Sequence, residues 1–156
     1  MSEAEHFVPG YLHELIPTIL NYIKSNVPKN SVIADLGCGT GYTSKQIITE
    51  VQPQKIYCVD VQEEMMDQAK LLLQGYNVIF KNMDILDFVP EEKLDIVLCS
   101  LVLHNLEVPK KELVLTKVRS YVQQGGIFIW TDFIKHLDEY QFLQEMNYRK
   151  DFALAA

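Results

Sequence analysis

The segment Asp35-Leu-Gly-Cys-Gly-Thr-Gly41 sets three glycines at alternate positions directly after the apolar run Val32-Ile-Ala. Glycine allows a sharp backbone turn and lets a ligand approach the main chain with no Cβ in the way. In an open α/β sheet such a loop, between a strand and the next helix, lies at the strands' carboxyl edge where ligands collect. Asp60 closes the next apolar run, Gln54-Lys-Ile-Tyr-Cys-Val, nineteen residues after Gly41. A carboxylate there accepts both hydroxyls of a ribose, so loop and acid together predict a nucleoside-type ligand. Asp60 also directly precedes a helical run, where it would serve as an N-terminal cap, and the two uses are compatible.

The glycine spacing discriminates between nucleosides. A dinucleotide fingerprint needs G-x-G-x-x-G, and Tyr42 stands where its third glycine belongs. Asp35 puts a negative charge where a pyrophosphate would meet a helix N-terminus, which disfavours a nicotinamide dinucleotide and favours a ligand carrying an ammonium group.

These residues need a frame to hold them, and the apolar pattern supplies one. Val32–Leu36, Gln54–Asp60, Asn77–Phe80, Leu94–Ser100 and Gly126–Thr131 are short runs rich in β-branched and aromatic residues. Most read as continuous apolar stretches, as expected of strands buried on both faces of a parallel sheet. Between most of them lie helical segments. Tyr42–Glu50 is weakly patterned. Glu63–Gln74 carries Met65, Met66, Ala69, Leu72 and Leu73 on one face and is followed by Gly75; a helix opening at Pro109 repeats Leu115, Val118 and Val122 and ends at Gln124-Gly125-Gly126. Ahead of them, Leu12, Leu15, Ile16, Ile19, Leu20 and Ile23 form a helical stripe interrupted by Pro17, which predicts a short turn and then a helix from about Pro17. Alternating strands and helices predict a three-layer α/β/α sandwich around a mainly parallel, Rossmann-like sheet.

Composition bounds what this frame does. The 156 residues suffice for one domain, and 48% hydrophobic with 22% charged residues belongs to ordinary globular chains. No apolar run has the length of a transmembrane helix, and the acidic start lacks a secretory pattern, so a cytoplasmic location is expected. A net charge of −7 with scattered Lys and Arg argues against nucleic acid and against an anionic membrane surface as partners. Cys38, Cys58 and Cys99 have no metal or redox spacing and read as small buried thiols; no metal site is expected.

The stretch from Val32 to Thr43 resembles the first motif of the class I S-adenosylmethionine-dependent methyltransferases. The resemblance covers roughly Tyr11 to Thr131, with further motifs at Asp60, at Asn82-Met-Asp84-Ile85 and at Asp95 to His104. It implies strand order 3-2-1-4-5, residues 1–30 as a helical lid on an α/β core from residue 31 to 156, and S-adenosylmethionine as cofactor with S-adenosylhomocysteine as product. By the same resemblance Gly37, Gly39 and Gly41 pass beneath the methionine portion. Asp60 holds the ribose, Val61 and Ile85 cover the two faces of the adenine, and Asp84 accepts its amino group. The backbone at Ser100 and Leu101, assisted by Asp35, takes the ammonium group, and Tyr11 lines the pocket. Asp84 has an ordinary alternative use, opening a turn.

A general base is needed only if the methyl acceptor must lose a proton. His104, after the fourth strand, resembles the histidine of Leu-His-x-Leu segments in small-molecule methyltransferases, although local packing is the commoner use of such a histidine. Asp132, at the end of the fifth strand, is an outside candidate. The expected function is methyl transfer to a small-molecule acceptor. A non-catalytic binding or scaffolding module is the alternative, and a nicotinamide-dependent oxidoreductase the reading that Tyr42 disfavours. After Thr131 there is room for a helix over 133–149 but not for the family's closing antiparallel strands, which favours a shortened chain over a complete minimal enzyme.

Overall fold

The computed structural model describes residues 14–132. Five strands, β1 (Val32–Leu36), β2 (Lys55–Asp60), β3 (Val78–Asn82), β4 (Leu94–Ser100) and β5 (Val122–Thr131), form one parallel sheet in the order β3-β2-β1-β4-β5. The helices are α1 (Ile16–Asn26), α2 (Tyr42–Val51), α3 (Glu63–Leu72) and α4 (Val108–Tyr121). The order reverses between β1 and β4, so the predicted topology stands and the glycine loop lies at the switch point.

The continuous apolar strands are explained by two hydrophobic layers that take alternate residues. Ile33, Ile56, Cys58, Ile96 and Leu98 pack with Ile19 and Ile23 of α1, Ile47 of α2 and Met66 of α3. Ala34, Leu36, Tyr57, Val59, Val97 and Cys99 pack with Val114, Val118 and Tyr121 of α4. The connection from β3 to β4 has no helix; Phe88 fills its place, fully buried, tilted against Tyr57 and edge-on to Tyr121 with ring centres 5.7 and 6.0 Å away. All three cysteines are buried and unpaired, as expected. No helix among the described residues is long and apolar enough to cross a membrane, and no three His, Cys, Asp or Glu among them cluster as metal ligands would.

Three local readings change. β5 begins at Val122, immediately after α4, because Gln124-Gly125-Gly126 is a bulge inside the strand and not a helix stop. Leu94 pairs with Val122 but Ile96 with Ile127; the extra residues on β5 are taken up with Gly125 at φ +81°. A Cβ on Gly126 would lie 2.9 Å from the Asp95 carbonyl oxygen, so the close approach of β5 to β4 requires glycine. In α4 the buried stripe is Val114, Val118 and Tyr121, with Leu115 turned outward. In α3 Met66 and Ala69 are buried and Leu72 is exposed, while Leu73 caps the helix.

Candidate functional site

The turn after β1 is held from below by β2. The N–H groups of Gly37 and Cys38 both donate to the Val59 carbonyl, at 2.7 and 3.0 Å, and Gly39 N–H donates to Asp60 Oδ2 at 2.8 Å. Asp60 Oδ1 accepts from Gln62 N–H at 2.9 Å, which ties the carboxylate to the entry of α3. Its own carbonyl accepts from Met83 N–H and the Asn82 side chain, so β3 is fastened to the same residue. Asp60 thus joins the ends of β1, β2 and β3; it is not the expected helix cap, because the N-cap of α3 is Gln62 and Asp60 binds the N–H of that residue instead of one inside the helix.

Above this junction is an open cavity of about 440 Å³, a size suited to a small-molecule ligand. Gly37, Gly39, Asp60, Val61, Asp84, Ile85 and Leu101, all expected at the site, line it. Gln62, Met65, Val102, Asn105 and Leu106 line it too and were not anticipated. The charged groups among its described lining residues are the carboxylates of Asp60 and Asp84; no Lys, Arg or His is among them. Such a wall repels a pyrophosphate and attracts a cation. Asp84 Oδ1 accepts from Leu86 N–H at 2.8 Å, so the turn-opening role is present alongside the cavity-facing one.

The three loop glycines serve different ends. All have positive φ. A Cβ on Gly37 would fall 2.2 Å from Val102 Cγ2, whereas one on Gly39 would meet nothing within 4 Å and would occupy the cavity. Gly41 does not line the cavity; a Cβ there would press on Ala69 and Leu73, so its lack of a side chain lets α3 approach the start of α2. Gly37→Ala should therefore cost about 2 kcal/mol or more of stability through overpacking and backbone strain. Gly39→Ala should cost about 1 kcal/mol, from strain alone, yet weaken ligand binding by intruding on the cavity. Denaturant melts and binding titrations on both variants check this, and equal destabilisation would refute the division of labour.

Several expected residues stand elsewhere. Asp35 is 2% exposed beneath the loop, outside the cavity lining, and Ser44 Oγ in the first turn of α2 donates to its Oδ2 at 2.6 Å. Burial pushes its carboxyl up to about 6; the Ser44 bond opposes this shift and the charge of Asp60 adds to it. Cys58 Sγ lies 3.2 Å from the same hydroxyl. A hydrogen bond with Cys58 and then burial raise the Cys38 thiol, and burial raises Cys99 to about 12, so these sulfurs stay protonated. Ser100 Oγ accepts from Thr131 Oγ1 at 2.8 Å and does not line the cavity. Leu101 does, at φ +58°, an unusual conformation for leucine that its N–H bond to the Thr131 carbonyl helps to fix. The described part of the expected lid, α1, packs into the core and contributes nothing to the cavity lining; Tyr11 lies outside the described residues.

Fold and cavity together define an α/β domain built to take a nucleoside-like ligand at its topological switch point. The chain belongs to the methyltransferase domain family, whose model it matches over residues 33–126. It is 30% identical over 129 residues to carboxy-S-adenosyl-L-methionine synthase 1 of Yersinia pseudotuberculosis, covering 78% of this chain and 53% of that protein. The chain thus spans about half the length of that curated relative. Among solved structures it resembles the DhpI–SAH complex at 25% identity, with a TM-score of 0.69 over 85% of this chain and 63% of that one. CalS10 of Micromonospora echinaspora, an amino pentose methyltransferase solved with SAM bound, shares the fold at 19% identity with a TM-score of 0.69, over 82% and 55% of the two chains.

Proposed function

We propose that this chain transfers the methyl group of S-adenosylmethionine to a small-molecule acceptor and releases S-adenosylhomocysteine. The observation that carries this reading is the cavity wall, in which two carboxylates and no described cation face a slot floored by Gly37 and Gly39. A sulfonium ligand with an ammonium group suits that wall and a dinucleotide does not. The methyltransferase family match, the carboxy-S-adenosyl-L-methionine synthase relative and the SAH-bound DhpI neighbour support the same ligand class.

The residues present fit such a group. Each Asp60 oxygen keeps a lone pair beyond the one used by Gly39 or Gln62, so the carboxylate can take two ribose hydroxyls. Val61 and Met65 on the α3 side and Ile85 after β3 offer apolar surface for an adenine. Asp84 and Leu101 line the same cavity, and on this reading Asp84 accepts the adenine amino group and the Leu101 backbone the ammonium. Asp35 adds negative charge from below the loop without reaching the cavity. When bound, the cofactor supplies an electrophilic methyl and a neutral thioether leaving group, which leaves the protein the work of orientation and of managing protons.

Titration calorimetry with S-adenosylmethionine, S-adenosylhomocysteine and NAD tests the reading. Binding of both adenosyl ligands and not of NAD is expected, and mass spectrometry of the purified protein should find a retained adenosyl nucleoside. Binding of NAD alone, or of none of the three, would overturn it.

A further inference from the structure

The two candidate bases, His104 and Asp132, meet, but neither lines the cavity. Asp132 follows β5 directly, and its side chain is 7% exposed. Its Oδ2 accepts from the backbone N–H of His104 at 2.9 Å, and its Oδ1 lies 2.6 Å from His104 Nδ1. One carboxylate thereby fastens the short turn Leu103–Asn105 to the end of β5. Leu103 anchors the turn in the core, and the Asn105 N–H donates to the Val102 carbonyl at 3.1 Å. The side chain that this braced turn contributes to the cavity lining is Asn105. The carboxamides of Asn26, Asn77 and Asn82 each donate to a backbone carbonyl, whereas that of Asn105 has no hydrogen bond to a described residue.

The cavity follows the carboxyl edge of the sheet from Asp84 after β3, through Asp60 on β2 and Gly37 and Gly39 after β1, to Leu101 and Val102 after β4. With the adenosine portion at the β2–β3 end, the methyl points toward β4, where Asn105 offers a polar group and Val102 and Leu106 apolar ones. Charge decides what reacts well there. Asp60 and Asp84 stand in the wall and Asp35 lies beneath the loop, so the field favours a positive charge. An ionised oxygen or sulfur nucleophile is repelled by these carboxylates. It also cancels the sulfonium charge on the way to the transition state, so the wall would stabilise the reactants more than the transition state. An uncharged amine keeps one positive charge throughout and passes it from sulfur to nitrogen, where the same carboxylates still stabilise it.

Resting on the methyl-transfer reading, we propose that the acceptor is a primary or secondary amine oriented by Asn105, whose Oδ1 accepts the amine's N–H hydrogen and leaves the nitrogen lone pair facing the methyl carbon. The nitrogen bonds to that carbon as the carbon–sulfur bond breaks and its electron pair returns to sulfur. The product is an ammonium ion, which sheds its proton to water once it has left. Atoms and charge balance with acceptor, methyl donor and water alone.

A screen of matched amines, alcohols and thiols of one carbon skeleton, with methyl-labelled S-adenosylmethionine in mildly alkaline buffer where amines are partly uncharged, should place the label in the amines. With an accepted amine, Asn105→Leu should lower kcat/KM for the amine roughly 2- to 10-fold, the effect of one neutral hydrogen bond, without changing the KM for S-adenosylmethionine. Asn105→Asp keeps an accepting oxygen at the same place and should retain most of the activity. A second readout needs no turnover. In protein saturated with S-adenosylhomocysteine, the Asn105 side-chain amide NMR signals, assigned by their loss in Asn105→Leu, should shift when the accepted amine is added. Label reaching the alcohols or thiols as fast as the amines, or reaching none of them while S-adenosylmethionine binds, would overturn the acceptor class and leave the cofactor reading intact. Asn105 signals that stay still, or an Asn105→Asp enzyme as slow as Asn105→Leu, would overturn the role of Asn105. Failure of both adenosyl ligands to bind would overturn the methyl-transfer reading itself.

Discussion

Asp60→Ala is expected to weaken S-adenosylhomocysteine binding roughly 10²- to 10⁴-fold while the sheet still folds. Two hydroxyl bonds to an ionised carboxylate contribute about 1.5–3 kcal/mol each, and each 1.4 kcal/mol is about a factor of ten in affinity. The Gly39 and Gln62 N–H groups that lose their acceptor border the cavity and can turn to water, so the cost to the apo protein should be about 1 kcal/mol. Calorimetry for affinity, with thermal melts as the folding control, separates the two effects. An Asp60→Ala protein with wild-type affinity would remove the ribose role.

The second large effect is on stability, and its direction follows from burial. Asp35 titrates near 3.8 when unperturbed but is raised to about 6 in the fold, chiefly by burial. The native state therefore holds this proton more tightly than the unfolded chain. Its contribution to stability is fully present below about pH 4, and is lost as the pH rises toward and past 6. The loss is about 3 kcal/mol, from a shift of roughly two units at 1.36 kcal/mol each. An amide in place of this carboxyl has no such titration, and its oxygen can still accept from Ser44. Asp35→Asn should thus be more stable than the parent by about 3 kcal/mol at pH 7.5 and by only about 1 kcal/mol at pH 4.5, as read by denaturant melts at the two values. A gain that does not change with pH would refute the burial argument. A buried charge that destabilises its own fold suits a site meant to hold a cation.

Much of the architecture was legible because parallel strands buried on both faces must be apolar throughout. β1 and β4 have the ends expected from Val32–Leu36 and Leu94–Ser100. The glycine loop and Asp60 were legible because backbone approach and ribose binding leave few choices of residue. β5 was misread at its start because Gly125 and Gly126 look like a helix stop until the β4 carbonyls at Leu94 and Asp95 are seen pressing on Gly126, with Gly125 taking up the bulge at positive φ. The missing cavity residues have a similar origin. Met65 sits beside Met66 in one apolar stripe, and only the packing of α3 shows that one meets the cavity and the other the core. Val102 and Leu106 are ordinary apolar residues in sequence, although the position of Val102 inside the fourth motif and of Leu106 two residues beyond it was a usable signal. The pairing of His104 with Asp132, 28 positions apart, depends on β5 lying next to β4.

The bracing of the glycine loop has a consequence for how fast and how selectively this site works. Gly37, Cys38 and Gly39 are each tied through their N–H groups to the end of β2, so the loop does not have to be ordered by its ligand. Association then loses little conformational entropy at the floor of the site, and more of the contact energy is available for telling one ligand from another.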